Sequence, residues 1–177
     1  MVEEEVVLVD ENDREIGTAP KLRAHRDGAL HRAFSVFLFN SRDEVLLQRR
    51  ADDKYHSGGL WSNTCCSHPR PGEHTDAAAH RRLEEEMGLE VPLIPVFAFT
   101  YRSAFADGLW EHEYDHVYIG RTDAEPEPDP EEVAGWRWAS VEEVASEMES
   151  DPDRFTVWFR EPFEEIVARR AWEALDR

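Results

Sequence analysis

The chain has 177 residues, 41 % of them hydrophobic, and carries a formal charge of −19 from 39 acidic and 20 basic side chains. That length and apolar fraction suit one domain spanning residues 1–177 with a core of ordinary size, and they exclude wholesale disorder. No apolar run is long enough to span a membrane, the opening MVEEEVVLVDEN lacks the basic segment and apolar stretch of a leader, and the net charge would repel a nucleic-acid backbone. The expectation is a cytoplasmic protein with no membrane or nucleic-acid partner, a monomer or weak dimer, whose acidity resembles that of proteins from high-salt cytoplasms.

Taken in chain order, the elements mix strands and helices. Strands are expected at Val6–Val9, Ala33–Phe39 and Val45–Gln48, the last two joined as a hairpin by the polar cluster Asn40-Ser41-Arg42-Asp43. Thr75 or Asp76 caps the helical run AAAHRRLEEEM, which Gly88 stops. Further strands are expected at Phe97–Tyr101, Tyr114–Gly120 and Gly135–Ala139. Between the last two, the acid- and proline-rich segment Asp123–Glu132 reads as a solvated surface loop. Ser140-Val141-Glu142-Glu143 is a capping box opening a helix that ends near Met148, and Pro162 opens a final helix with Phe163, Ile166 and Val167 on one face. Strands and helices without strict βαβ alternation predict an α+β fold, a mixed sheet between helices.

The segment Ser67–Leu89, SHPRPGEHTDAAAHRRLEEEMGL, resembles the Nudix box, with Glu73, Arg81, Leu83, Glu85, Glu86, Gly88 and Leu89 on its pattern. The box is a loop, a helix and a loop that gather carboxylates to hold Mg²⁺ against a diphosphate. Two positions depart from it. The leading glycine is Ser67, and the glutamate after Arg81 is Arg82. Replacing a carboxylate by a cation removes one metal ligand and adds a phosphate-binding group. That suits the isomerase branch of this superfamily better than a hydrolase, which needs a dense carboxylate set to activate water.

The flanks resemble type 1 isopentenyl-diphosphate isomerases. Trp61-Ser62-Asn63-Thr64-Cys65-Cys66-Ser67-His68-Pro69 is similar to their catalytic segment, Lys21, His25 and His31 to their first ligand segment, Arg50 and Lys54 to a basic stretch, Glu111-His112-Glu113 to their E-x-E segment, and Trp158 to a closing tryptophan. The resemblance runs from about Val6 to Phe163 and implies a Nudix-type sandwich that isomerises a small diphosphate. It also implies the roles. Cys66 and Glu113 exchange protons with the alkene, and Tyr101 and Trp158 face the carbocation. Lys21, Arg50, Lys54, Arg82 and Ser67 hold the diphosphate. His25, His31, His68, Glu111 and Glu113 bind one Mn²⁺, Zn²⁺ or Fe²⁺, as imidazole with carboxylate suits. Glu86 binds Mg²⁺. Glu111 and Glu113, two apart on a strand, point to one face. Adjacent Cys65 and Cys66 do not bridge, and Cys65 reads as a buried small hydrophobe. His56, His74, His80, His112 and His116 read as ordinary histidines. The alternatives are a Nudix hydrolase of a nucleoside diphosphate derivative and a metal-stabilised binding module.

Overall fold

The computed structural model describes residues 4–54 and 56–176; Met1–Glu3, part of the opening segment read for a leader, lie outside the described residues, as do Tyr55 and Arg177. In chain order the elements begin with β1 (Glu5–Val9), β2 (Glu15–Pro20), α1 (Lys21–Asp27), β3 (His31–Phe39), β4 (Val45–Arg50), β5 (Trp61–Ser62) and β6 (Cys65–Ser67). They continue with α2 (Thr75–Met87), β7 (Ile94–Ala104), β8 (Trp110–Arg121), β9 (Val133–Ala139), α3 (Val141–Ser150) and α4 (Arg160–Arg169), and short 3₁₀ turns follow α3 and α4.

Every residue of β3 except Arg32 is buried, as befits a strand covered on both faces. One edge of β3 pairs in parallel with β8, from His31 opposite Glu113 to Phe39 opposite Arg121. Its other edge is shared in succession by β1 at His31, β6 at Phe34–Val36 and β4 at Phe39. A strand with three successive partners on one edge cannot belong to a flat sheet, and β4 turns away to pair with β9 and β5. β7 and β2 complete the outer edges.

Side-chain alternation along β3 sorts the core into two layers. Phe34, Val36 and Leu38 pack with Leu46 against Ala79, Leu83 and Met87 of α2. Phe37 and Phe39 pack with Leu47, Val117 and Ile119 against Val144 of α3, Phe163 and Ile166 of α4, and Phe159 just before α4. This is the expected α+β arrangement of a mixed sheet between helices.

Several local expectations need correction. The cap of α2 is His74, not Thr75 or Asp76, and it makes no side-chain cap bond. The expected β3–β4 hairpin pairs only Phe39 with Val45, because β6 and β1 take the rest of that edge of β3. The segment Asp123–Glu132 does more than face solvent. Pro126 is buried, and the Glu127 and Asp129 amides donate to the Met87 and Glu86 carbonyls at 2.9 and 3.0 Å, satisfying the last turn of α2. β2, α1, β5 and β6 were not anticipated. By contrast, Ser140 Oγ accepts from the Glu143 amide at 3.1 Å, as the capping box requires.

Gly88 ends α2 at φ 66°, and a Cβ there would lie 2.7 Å from the Glu127 carbonyl oxygen. Left-handed backbone and this close approach both demand glycine. Gly88→Ala should therefore lower unfolding free energy by about 2 kcal/mol or more, measured by denaturant titration; an unchanged midpoint would show that the loop yields freely.

Candidate active site

The site occupies the polar half of a face whose other half is core. Along β8 the residues Glu111, Glu113 and Asp115 are buried and alternate with half-buried neighbours, and Val117 and Ile119 continue the same face into the α3–α4 layer. On β3, His31 and Ser35 precede Phe37 and Phe39 in the same way. The register places His31 directly opposite Glu113 on one side and Tyr101 of β7 opposite Glu113 on the other. Three neighbouring strands thus bring an imidazole, a carboxylate and a phenol into one row.

His25 and His31 are fully buried. Each donates its Nδ1–H to a backbone carbonyl, Lys21 at 2.7 Å and Ala29 at 2.9 Å. In neutral rings this leaves the lone pair on Nε2. These Nε2 atoms lie 3.4 Å from Glu111 Oε2 and 3.6 Å from Glu113 Oε1. Lone pairs facing carboxylate oxygens in a buried site repel unless a cation lies between them. His31 Nε2 has no hydrogen-bond partner among the described residues. One donor atom from each of His25, His31, His68 and Glu113 lies within 4.8 Å of the others. The donor set therefore fits a divalent transition-metal ion, with backbone carbonyls fixing the ring tautomers.

Burial would raise the Glu113 carboxyl, but the His31 and His68 imidazoles beside it hold it well below the ordinary range. His68 Nε2 lies 2.8 Å from Glu113 Oε1, and the Tyr101 hydroxyl donates to Oε2 at 2.6 Å. Burial, with the Glu113 charge, pushes the Tyr101 phenol well up, so it remains a donor. Burial lowers His68 despite Glu113. For His25, burial opposes the charged form, but Glu111 raises the ring above its usual value.

The two cysteines face opposite sides of β6. Cys65 is fully buried among the residues packed on α2, whereas Cys66, opposite Ser35, lines the cavity. Burial pushes the Cys66 thiol up to about 12, with Arg50 acting in the opposite direction. The preceding motif builds this turn. Asn63 Nδ2 donates to the Val36 and Cys65 carbonyls at 3.1 and 2.7 Å. Ser62 Oγ accepts the Trp158 Nε1–H at 3.1 Å and lies 2.8 Å from Thr156 Oγ1.

Cys66, Ser67, His68, Tyr101, Glu111, Glu113 and Trp158 line one cavity of about 430 Å³ with Lys21, Arg50, Lys54, Arg82 and Glu86. His25 and His31 lie behind its wall. The cations are held by carboxylates: Lys21 by Glu4 at 3.0 Å, Lys54 by Glu132, and Arg82 by Glu85 and Glu86 at 2.8 and 2.5 Å. The Arg50 guanidinium lies 5.2 Å over the Trp158 ring. Burial raises the Glu86 carboxyl against the pull of Arg82. Its oxygens accept from Arg82 and from Gln48 Nε2 at 3.2 Å. Glu86 belongs to no group of three metal-ligating side chains among the described residues.

Residues 29–159 match the NUDIX domain family. The chain is 56 % identical over 162 residues to the isopentenyl-diphosphate Delta-isomerase of Pectobacterium atrosepticum, covering 92 % of this chain and 90 % of that one. It is 52 % identical over 165 residues to the protein of the same name from Halorhodospira halophila, covering 92 % and 94 %. The chain belongs to the isopentenyl-diphosphate Delta-isomerase family of NUDIX-domain proteins. Among solved structures it superposes on a Deinococcus radiodurans protein with a TM-score of 0.71 at 24 % identity, covering 84 % of this chain and 90 % of that one. On the Nudix hydrolase RenU of M. smegmatis the TM-score is 0.57 at 20 % identity, covering 93 % and 94 %. At such identity these two matches establish the fold alone.

Within that fold the box residues divide their work. Arg81 donates to Glu73 from Nε and Nη2 at 2.7 and 2.9 Å and pins the incoming loop to α2, with Glu73 also accepting from the Arg70 amide. Glu86 and Arg82 face the cavity. Sequence reasoning missed His56 and Glu132, which line the same cavity. His56 lies between Lys54 and Trp61, inside the motif run, which was the available signal. Glu132 closes a segment whose composition masks it. Chelation of divalent metal should lower the melting temperature by about 5–10 °C, and re-addition should restore it; in His31→Ala the difference should vanish. Identical melting curves with and without chelator would remove the metal from the folded state.

Proposed function

We propose that residues 1–177 act as one cytoplasmic domain that converts isopentenyl diphosphate to dimethylallyl diphosphate for isoprenoid biosynthesis. The observation that carries this reading is the placing of Cys66 and Glu113 on one cavity with Tyr101 and Trp158, beneath the cations Lys21, Arg50, Lys54 and Arg82. All these residues come from one chain, so a monomer suffices and a weak dimer would add nothing to the site.

The reaction adds a proton to the terminal alkene carbon, leaves a tertiary carbocation, and removes a proton from the carbon on its other side. An alkene is a poor base, so a positioned acid and base must flank the hydrocarbon and water must be kept away. Cys66 and Glu113 carry the two protons. Tyr101 donates to Glu113 Oε2 and fixes the carboxylate plane. Trp158, held by Ser62, presents an aromatic face to the cation, worth about 1–2 kcal/mol when desolvated. Lys21, Arg50, Lys54, Arg82 and Ser67 bind the diphosphate. A Mn²⁺, Zn²⁺ or Fe²⁺ held by His25, His31, His68, Glu111 and Glu113 would supply positive charge that keeps Glu113 ionised, and Mg²⁺ at Glu86 would neutralise phosphate. Arg82 stands where hydrolysis of a nucleoside diphosphate derivative would want a further carboxylate, which counts against that alternative.

In deuterated water the enzyme should place solvent deuterium into both isopentenyl and dimethylallyl diphosphate, whereas a hydrolase would release phosphate or nucleotide and a binding module would do neither. Cys66→Ala should lower turnover by a factor on the order of 1,000 or more, and Cys65→Ala should leave it nearly unchanged. A dead Cys65→Ala with an active Cys66→Ala would overturn the assignment. Glu86→Gln should raise the Mg²⁺ requirement, and an unaltered Mg²⁺ titration would take Glu86 out of the site.

The charge of −19 supports a halophilic reading. The Debye length is about 30 Å at 0.01 M and about 3 Å at 1 M salt, so added KCl screens the self-repulsion that opposes the compact state. The melting temperature should climb across a KCl series while the Michaelis constant worsens modestly, because screening also weakens the cavity cations. A flat or falling melting temperature would leave the acidic surface a solubilising feature only.

A further inference from the structure

Glu132 is the last residue of the acid-rich segment before β9, and it lines the cavity beside the cations it pairs. Its carboxylate joins two of them at once. Oε2 accepts from Lys54 Nζ of the β4–β5 loop, and Oε1 lies 3.4 Å from Arg82 Nη2 of α2. Burial would raise this carboxyl, but Lys54 and Arg82 hold it below its ordinary range, so both pairs are ionic. The backbone here is fixed without the side chain. The Glu132 amide donates to the Asp129 carbonyl at 3.0 Å, and the Glu132 carbonyl accepts from the Ala51 amide at 3.0 Å. The loop that carries Lys54 is also closed by main-chain bonds, from the Arg50 amide to the Leu60 carbonyl at 2.9 Å and from the Gly59 amide to the Arg50 carbonyl at 3.1 Å. The carboxylate is therefore not required to place Lys54. It also belongs to no metal-ligating group among the described residues. What it does is occupy two of the cations that a diphosphate would need.

We propose that Glu132 is a competitor for the diphosphate, built into the cavity wall to weaken its hold on substrate and product alike. This rests on the proposed role of Lys54 and Arg82 as diphosphate-binding groups. A diphosphate reaches those cations only by taking them from Glu132, whose backbone is pinned on both sides and cannot carry the carboxylate away. Arg82 also pairs with Glu85 and Glu86, so the contest is chiefly over Lys54. The reaction gives the competitor its use. Substrate and product carry the same diphosphate and differ in the place of one double bond. Contacts to that group therefore act equally on both and on the transition state between them; they lower the Michaelis constant without speeding the chemical step. A wall with no competitor would hold the product as firmly as the substrate, and release would limit turnover. Glu132 gives up affinity and keeps the exchange of product for substrate fast.

The test uses the full chain with inorganic diphosphate as the probe, titrated calorimetrically in a buffer containing Mg²⁺, with thermal melting to check folding. Glu132→Gln keeps the side chain's shape and removes its charge. It should bind the probe on the order of 5-fold more tightly, and Glu132→Ala should move in the same direction should the glutamine variant melt early. Glu131→Gln removes the same charge from the exposed neighbour and should change binding by less than about 2-fold. Made on top of Lys54→Met, Glu132→Gln should gain less than about 2-fold, because the cation it chiefly occupies is gone. In turnover, Glu132→Gln should lower the Michaelis constant without raising kcat. Folded Glu132 variants that bind diphosphate no more tightly than the parent protein would overturn the competitor and leave the diphosphate wall standing. So would an equal gain in Glu131→Gln, an undiminished gain on Lys54→Met, or a raised Michaelis constant. A parent protein that binds no inorganic diphosphate would overturn the wall and the competitor together.

Discussion

The parallel pairing of β3 with β8 is the constraint on which the rest depends. Because side chains alternate, a slip of β8 by one residue would send Glu113 and Asp115 to the α2 side, away from His31, and bring Tyr114 and His116 in. The register is held by the downstream halves of the same strands, where Phe37, Phe39, Val117 and Ile119 are buried against α3 and α4. Burying each such side chain contributes about 1.5–3 kcal/mol. The upstream halves contribute nothing comparable. They bury imidazoles and carboxylates, whose desolvation is costly unless they are paired or bind an ion. One face of one strand pair thus carries a stabilising end and an expensive end, and the first holds the second in place.

Charge balance in the cavity follows the same logic. A protein this acidic can still present a local cluster of cations, but unpaired ones would be costly to hold in a half-enclosed space. Three of the four are met by carboxylates of the chain, Glu4 for Lys21, Glu132 for Lys54, and Glu85, Glu86 and Glu132 for Arg82, while Arg50 lies over the Trp158 ring. A diphosphate held at this wall would exchange one anionic partner for another, and its affinity would reflect a difference between two sets of ion pairs. The loop that supplies Glu132 is fixed through the Glu127 and Asp129 amides on the end of α2, which ties the acid-rich segment to the box helix.

What could be read from the sequence follows from where each signal lives. The strands ending in apolar residues were legible, because Val36–Phe39 and Val117–Ile119 carry the pattern of buried strands. Their polar beginnings were not. Glu111 and Glu113 read as strand neighbours pointing to one face, but the apolar pattern alone sets the strand's start at Tyr114, whereas β8 begins at Trp110. β5 and β6 are too short for periodicity to register; side-chain bonds from Asn63 and Thr64 hold them in place. Ser140 and Gly88 were legible because capping chemistry is local. His74 was not, because it caps α2 without a side-chain bond. The expected site residues were chosen by motif position; all of them but His25 and His31 line one cavity. His56 fell outside because its partner Glu111 is distant in sequence.

Arg82 shows how one substitution in a shared helix can redirect its chemistry. Its guanidinium lies against Glu85 and Glu86 and reaches Glu132 at 3.4 Å. A carboxylate at this position would join three others within a few ångströms, and mutual repulsion would demand bound cations before the helix end could pack. That is the state of a site built to gather metal ions and activate water. With arginine there, one cation lies among the three carboxylates and pairs with each of them, Glu86 most closely. The loop and helix keep their shape through Arg81, which pairs with Glu73, and through Gly88, which closes the last turn, neither of which depends on the charge at position 82.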